Sequence, residues 1–296
     1  MKACAPASNM AEPLRNSYGP DDIVMELGIS LPFDPYACFA ASTSPVGLYA
    51  RQKWLGQEED ERWQADFHEC TALLLRGQLR DGSWESSFIR TVQHLFGLHL
   101  TVRQPVQEIE TALDWLLDCT ESVLKNAAIA GSDLKGLPFT AGDQRYLRLA
   151  MALFLGTIFG RAENAEITAR YRELSHRAFH DPDGWGDHPD ISNILRAFVV
   201  HPVFSKDSAT IRAVRNLAQI QDSSGTWPGG ISFYQTVNAL AHLDLPQADR
   251  QLEKAFVLLP RTQNDDGTWG VADNEWNTFL VVHALRNKNM LLLPTR

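Results

Sequence analysis

Positive charge is in short supply in this 296-residue chain: 27 Lys and Arg stand against 36 Asp and Glu, leaving −9 at neutral pH. A phosphate backbone needs a concentrated basic face. None is found, so nucleic acid is excluded as a partner. Long apolar runs are missing too. Residues 149–158 form one of the longest, far short of the roughly 20 residues that span a bilayer, so no transmembrane segment is expected. The first 20 residues, MKACAPASNMAEPLRNSYGP, hold no apolar core of the signal-peptide kind, which predicts a cytoplasmic chain. Only Cys4, Cys38, Cys70 and Cys119 occur, none in a C-x-x-C pair. Cysteine ligation of a metal is therefore set aside in favour of buried free thiols. His94, His99, His201, His242 and His283 lie on or beside apolar stretches with no shared metal-ligand spacing, and satisfied core histidines are expected. Glycine-rich phosphate loops are absent as well. No metal and no cofactor are anticipated.

What is present is a repeat. Gln221, Gly225 and Trp227 recur as Gln263, Gly267 and Trp269, with six residues from glutamine to tryptophan and nine from tryptophan to Thr236 or Thr278. Gln78, Gly82 and Trp84 form a third copy, and Gly184-Trp185 a fourth without the glutamine. Trp185, Trp227 and Trp269 are 42 residues apart, a period that accommodates two helices and two connections and indicates a helical array.

Between the turns, helices apolar on most sides alternate with helices that carry a polar stripe. The first kind is enclosed and the second faces water. Inner candidates begin after Ser44-Pro45, a cap followed by proline at the first helical position, and continue at residues 88–100, 143–159, 191–200, 233–243 and 276–286. Outer candidates are 60–78, 106–119, 163–179, 209–220 and 247–259. The loop 127–142 absorbs the excess length between Trp84 and Trp185. An open solenoid would end in a polar capping helix, whereas residues 278–285 are strongly apolar, which favours closure into a ring. Residues 1–43 are expected to be an arm, with a short helical run at 22–27, packing on a toroid of residues 44–296.

At these turns the sequence resembles the terpene cyclase and protein prenyltransferase superfamily, in which glutamine-to-tryptophan repeats link outer to inner helices. The resemblance covers residues 44–288 and implies an all-α fold, an (α/α)6 toroid. A zinc-dependent prenyltransferase subunit would need Asp, Cys and His ligands, the histidine just before a late threonine; Asn277 stands there, and no cysteine lies beyond Cys119. Protein prenylation is set aside. The pairs Asp21-Asp22, Glu58-Glu59 and Asp265-Asp266 do not form the aspartate-rich helix motif of class I terpene synthases. Class II cyclases carry Asp-x-Asp-Asp, whose third position protonates an alkene or epoxide. No intact motif occurs.

The place of that motif falls in Trp185-Gly186-Asp187-His188-Pro189-Asp190-Ile191-Ser192-Asn193. Counting nine residues from Trp185 sets Ile194 at the threonine place and Ser192 at the acid's. A turn two residues shorter, like the one from Trp84 to Thr91, makes Asp190 the acid instead. The catalytic candidates are Asp190 with His188 and Asp187, an aspartate whose proton affinity a neighbouring histidine could tune; helix capping by Asp190 is the structural alternative. The other inner-helix starts supply candidate substrate contacts: Phe88, Arg90, Arg145, Tyr146, Asn193, Phe233, Tyr234, Gln235, Glu275, Trp276 and Asn277. Aromatic faces there could stabilise a carbocation or simply fill the core, and Arg90 and Arg145 could meet an anionic group or form surface ion pairs.

Three functions stay open from sequence. The first is a class II terpene cyclase-like enzyme performing acid-initiated cyclisation or isomerisation of a terpenoid or other polyene-like natural-product intermediate. The second is a non-protonating cyclisation in which Asn193, Gln235 and Asn277 orient a polar intermediate. The third is a ligand-binding or scaffold toroid without catalysis. The expected partner is a small apolar or polyene-like substrate, with a partner domain or homodimer as a further option.

Overall fold

The computed structural model describes residues 28–102, 106–120, 128–180 and 184–292. The helical run expected at 22–27 and Cys4 lie outside them. The inner helices are α1 (Pro45–Lys53), α3 (Phe88–Thr101), α5 (Gln144–Gly156), α7 (His188–Val200), α9 (Phe233–Ala241) and α12 (Asn274–Asn287). Each packs on the next, and α12 returns to α1, so the ring closes. The outer helices α2 (Glu61–Leu75), α4 (Gln107–Thr120), α6 (Ala165–His180), α8 (Ser208–Ile220) and α10 (Pro246–Phe256) run between them, and a short turn, α11 (Leu259–Thr262), follows. The chain is an all-α toroid. Among the described residues no helix is long and apolar enough to cross a membrane.

Local chemistry accounts for the helix starts. Ser44 accepts the Gly47 N–H and Ser87 the Arg90 N–H, while Asp60, Asp143 and Asp207 cap α2, α5 and α8. Each such oxygen satisfies one of the amides that a helix leaves unpaired at its first turn. Helix α7 begins three residues earlier than its apolar periodicity predicts: Asp187 is the cap, and His188-Pro189 occupy the first turn, where proline's missing N–H costs nothing. At the far end of α5, residues Thr157–Arg161 widen into a π-helical turn that Gly160, at φ 89°, terminates.

The repeat turns act as clamps between outer helices. Gln78 Nε2 donates to Gly82 O within its turn and to Glu108 O in α4. Gln221 does the same to Gly225 O and to Gln251 O in α10. The indole N–H groups of Trp84, Trp185, Trp227 and Trp269 donate to carbonyls of Arg76, Leu174, Leu217 and Leu259. These tryptophans are buried and anchor each turn by burial as well as by a hydrogen bond.

The last clamp explains closure. Gln263 Nε2 donates to Gly267 O and to Phe33 O, and its Oε1 accepts the Phe33 N–H. Residues 33–34 thus stand where the next outer helix stands in the other repeats. Strand β1 (Ile29–Ser30) adds a short parallel pairing with β2 (Leu291–Leu292), and Arg286 donates to the Tyr36 hydroxyl. Residues 28–43, part of the stretch expected to pack on the ring as an arm, lie against the last repeat turn and the end of α12.

Candidate functional site

The inner helices begin on one face of the ring, and the stretch 128–143 crosses that face. It is more than a spacer. Ile129, Leu134, Leu137 and Phe139 are buried, and Phe139 meets Phe154 edge-on at 5.5 Å. Polar side chains from the helix starts latch its backbone. Gln93 donates to Asp133 O at 2.8 Å. Gln235 Nε2 donates to Leu137 O and Phe139 O, both at 3.1 Å. Asn193 accepts the Thr140 N–H and donates to the Thr140 carbonyl, both at 2.9 Å. Asp190 Oδ1 accepts the Asp143 N–H at 2.8 Å, and Lys135 pairs with Asp273 at 2.9 Å.

Asp190 is buried against two glycines; a Cβ on Gly142 would lie 2.4 Å from its Oδ1 and one on Gly186 2.6 Å from its Oδ2. Desolvation pushes its pKa above the usual carboxylate value, opposed by the Asp143 amide and reinforced by the charges of Asp187 and Asp143. His188 and Asp187 are exposed. No hydrogen bond or ion pair among the described residues joins His188 to Asp190, so the expected acid-base pair is not assembled.

Beside this plug of residues 128–143, between α1, α3 and α12, lies a cavity of about 410 Å³ walled by Pro45, Val46, Phe96, Leu100, Leu137 and Trp276, with Ser44, Gln93, Lys135, Asp273, Asn274 and Glu275 at its polar side. Its size falls in the roughly 300–1,000 Å³ range of small-ligand sites. Phe96 and Trp276 meet edge-on at 5.7 Å. Glu275 Oε2 accepts from the Ser44 hydroxyl at 3.0 Å. Its Oε1, the Asn274 Oδ1 and the Trp276 indole N–H are buried without a hydrogen-bond partner among the described residues. Natural proteins leave few such groups, and each calls for an explanation such as strain, chemistry or a missing ligand.

Of the residues nominated from sequence, only Glu275 and Trp276 line this cavity. Asn193 and Gln235 serve the plug. Asn277 donates to Trp269 O and Ala272 O and holds its own turn. Phe88 is core, with the Arg148 guanidinium 4.7 Å over its ring. Arg90 pairs with Glu85 and Arg145 with Asp143 on the surface. Phe233 and Tyr234 pack together at 5.3 Å, and Tyr146 is half-buried. Ser44, Gln93, Phe96 and Lys135 were missed, because nothing in their local sequence marks the one face of the ring that stays open. Among the described residues no group of three His, Cys, Asp or Glu is arranged to hold a metal ion.

At the opposite end of the ring, sequence reasoning also missed a basic cluster. Arg196 of α7, His242 at the end of α9 and His283 of α12 converge there, the Arg196 charge acting on both imidazoles. His94 and His201 behave as expected of core histidines: His94 bonds Leu74 O, and His201 bonds Ala162 O and takes the Val203 and Phe204 amides.

No family model and no curated protein matches the chain. Two solved structures resemble it in fold. One is a protein from Actinoplanes, with 14% identity, a TM-score of 0.51, and coverage of 89% of this chain and 92% of that one. The other is an arginine-to-alanine variant of the type II terpene cyclase MstE from Scytonema in complex with its substrate, geranylgeranyl dihydroxybenzoate; identity is 13%, the TM-score 0.52, and coverage 87% and 88%. The ring is a terpene cyclase-like fold.

Proposed function

We propose that this terpene cyclase-like ring is an enzyme that cyclises or isomerises a small polyene-like natural-product intermediate, with a carboxyl group starting the reaction by protonation. The observation that carries the proposal is the cavity beside the plug, where the apolar wall of Phe96, Leu100 and Trp276 faces three consecutive residues with unpartnered buried polar atoms. A substrate that occupied this space would bury its chain against the aromatics and meet the polar side formed by Ser44, Gln93, Asn274 and Glu275.

Of the two carboxylates beside the cavity, Asp273 is paired with Lys135, which makes Glu275 the acid. Adding its proton to one alkene carbon leaves a cation on the neighbouring carbon and a carboxylate on Glu275; attack by a second alkene closes a ring, and return of a proton from carbon to that carboxylate restores the acid. The faces of Phe96 and Trp276 stabilise the intermediate cation through their quadrupoles. The fold likeness to MstE, which holds a prenylated arene, supports a substrate of related shape.

Asp190 is a second candidate acid, favoured by its burial and raised pKa; it would need the 128–143 plug to shift. Asn193, Gln235 and Asn277 are committed to backbone groups and line no part of the cavity, which weakens the non-protonating alternative.

The test is incubation of the purified chain with linear prenyl alcohols, prenyl diphosphates and prenylated arenes, products being read by mass spectrometry. Glu275→Gln is expected to lose turnover by roughly 100-fold or more, as removal of a general acid does, while Asp190→Asn keeps it. Loss in Asp190→Asn alone transfers the acid to Asp190. Saturable binding with no turnover of any of these substrates would make the chain a binding protein.

A further inference from the structure

The end of the ring away from the plug has a charge problem that the proposed chemistry does not use. Arg196 is 7% exposed, and its Nε and Nη1 are buried with no hydrogen-bond partner among the described residues. No carboxylate among them pairs with it. Its guanidinium carbon lies 5.6 Å from the centroid of Phe154. An isolated buried cation is costly, and proteins normally pair it or supply it with a ligand. Burial lowers its pKa to about 10, so it remains charged at neutral pH.

The surroundings add donors and further positive charge. His242 is exposed and His283 half-buried, yet surrounding protein lowers the pKa of both, His283 to about 4. Their rings are 5.1 Å apart. Asn238 Nδ2 reaches Leu280 O and His283 Nδ1 at 3.2 Å. Lys288 and Arg286 bear on the pair electrostatically; Lys288 is matched by Asp249, whereas Arg286 bonds the neutral Tyr36 hydroxyl and, among the described residues, no carboxylate. The aromatic column Trp276–Phe279–His283 stacks from the cavity to this histidine pair, with centroid spacings of 5.5 and 5.6 Å.

We propose that Arg196, with His242 and His283, forms a binding subsite for an oxyanion, a carboxylate or a phosphate carried at the end of an apolar ligand. The guanidinium supplies charge and unsatisfied donors, and Phe154 and Phe279 supply an apolar wall for the adjoining chain. An occupant would remove the uncompensated charge that the ring otherwise buries, and its negative charge would favour the imidazolium forms of the two histidines.

The experiment uses the whole chain with two probes, decanoate and inorganic diphosphate, followed by calorimetry and by NMR titration of the imidazoles. Saturable binding is expected for at least one probe, with the His283 pKa rising from its low value on saturation. Decanoate alone assigns a carboxylate end, diphosphate alone a phosphate end, and both an unselective oxyanion site. Arg196→Met is expected to weaken binding by roughly thirtyfold or more, with Arg196→Lys intermediate. Should Arg196→Met fail to fold, the NMR titration of the unaltered chain decides. No saturable binding of either probe, affinity unchanged in Arg196→Met, or imidazole pKa values unmoved at saturation overturns the proposal. Because the readout is binding rather than turnover, its outcome is independent of whether Glu275 acts as an acid.

Discussion

Asn193 grips the Thr140 peptide from both sides, accepting its N–H and donating to its C=O, each at 2.9 Å. One buried side chain on α7 thereby fixes the middle of the plug over the ring, with Gln235 and Asp190 holding the residues on either side.

Asn193→Ala should cost about 2–4 kcal/mol, because two buried hydrogen bonds are lost and both Thr140 backbone groups are left without partners. Urea unfolding monitored by tryptophan fluorescence measures the loss. Hydrogen exchange should show residues 137–143 opening before the inner helices. Protection unchanged across that stretch would mean the plug is held by its apolar side chains alone.

Gly267→Ala separates two reasons for a glycine. Gly267 and Gly77 have similar positive φ, 82° and 80°, but a Cβ on Gly267 would stand 2.1 Å from Asp34 O, whereas one on Gly77 meets nothing within 4 Å. Gly77→Ala should cost about 1 kcal/mol for backbone conformation alone. Gly267→Ala should cost clearly more, and denaturation midpoints of the two variants make the comparison. Equal losses would show that the closure of 28–43 onto the last turn yields easily.

Asp190 has a folded pKa raised above 3.8 by desolvation. Its neutral form is therefore favoured by folding, and the stability it contributes is full below the unfolded pKa and is lost as pH rises through the folded one. Asp190→Asn keeps an oxygen for the Asp143 N–H and removes the charge. The variant should be more stable than the parent at pH 7, and the gap should close as the pH falls toward 4. Chemical denaturation across that range reads the difference; a gap independent of pH removes the buried charge as its cause.

His283 carries the opposite sign. Its folded pKa, lowered from 6.5 to about 4 by desolvation and then by the Arg196 and Arg286 charges, gives stability that is present above 6.5 and lost as the pH falls through that window. His242 and His201, lowered mainly by burial, act in the same direction. His283→Gln should flatten the acid side of the stability profile between pH 6.5 and 4, measured by urea unfolding at a series of pH values. An acid limb as steep in the variant as in the parent would assign it to other groups.

The repeat turns and the helix periodicity were legible in the sequence because each is a local matter. Gln78, Gly82 and Trp84 make their bonds within one turn and its adjoining helices, and an amphipathic stripe reports which face a helix buries. The sequence also held a signal that went unread: adding the 42-residue period to Arg196 lands on Asn238, and His242 to His283 is 41 residues, nearly one period. These residues therefore occupy adjacent places on neighbouring inner helices.

Sequence alone determined the all-α ring and the order of its inner and outer helices, since these follow from spacing along one chain. Tertiary structure decided what each polar group at the helix starts does. Asp190, Asn193 and Gln235 became latches because residues 128–143, distant in sequence from both helix starts that carry them, fold across the beginnings of α7 and α9 and take up their hydrogen-bonding capacity. Glu275 and Trp276 were left facing a cavity because the plug covers the ring unevenly, and among the described residues no acid reaches Arg196 from the neighbouring helices. Pairing across a ring is a property of distance in space, which residue spacing does not encode.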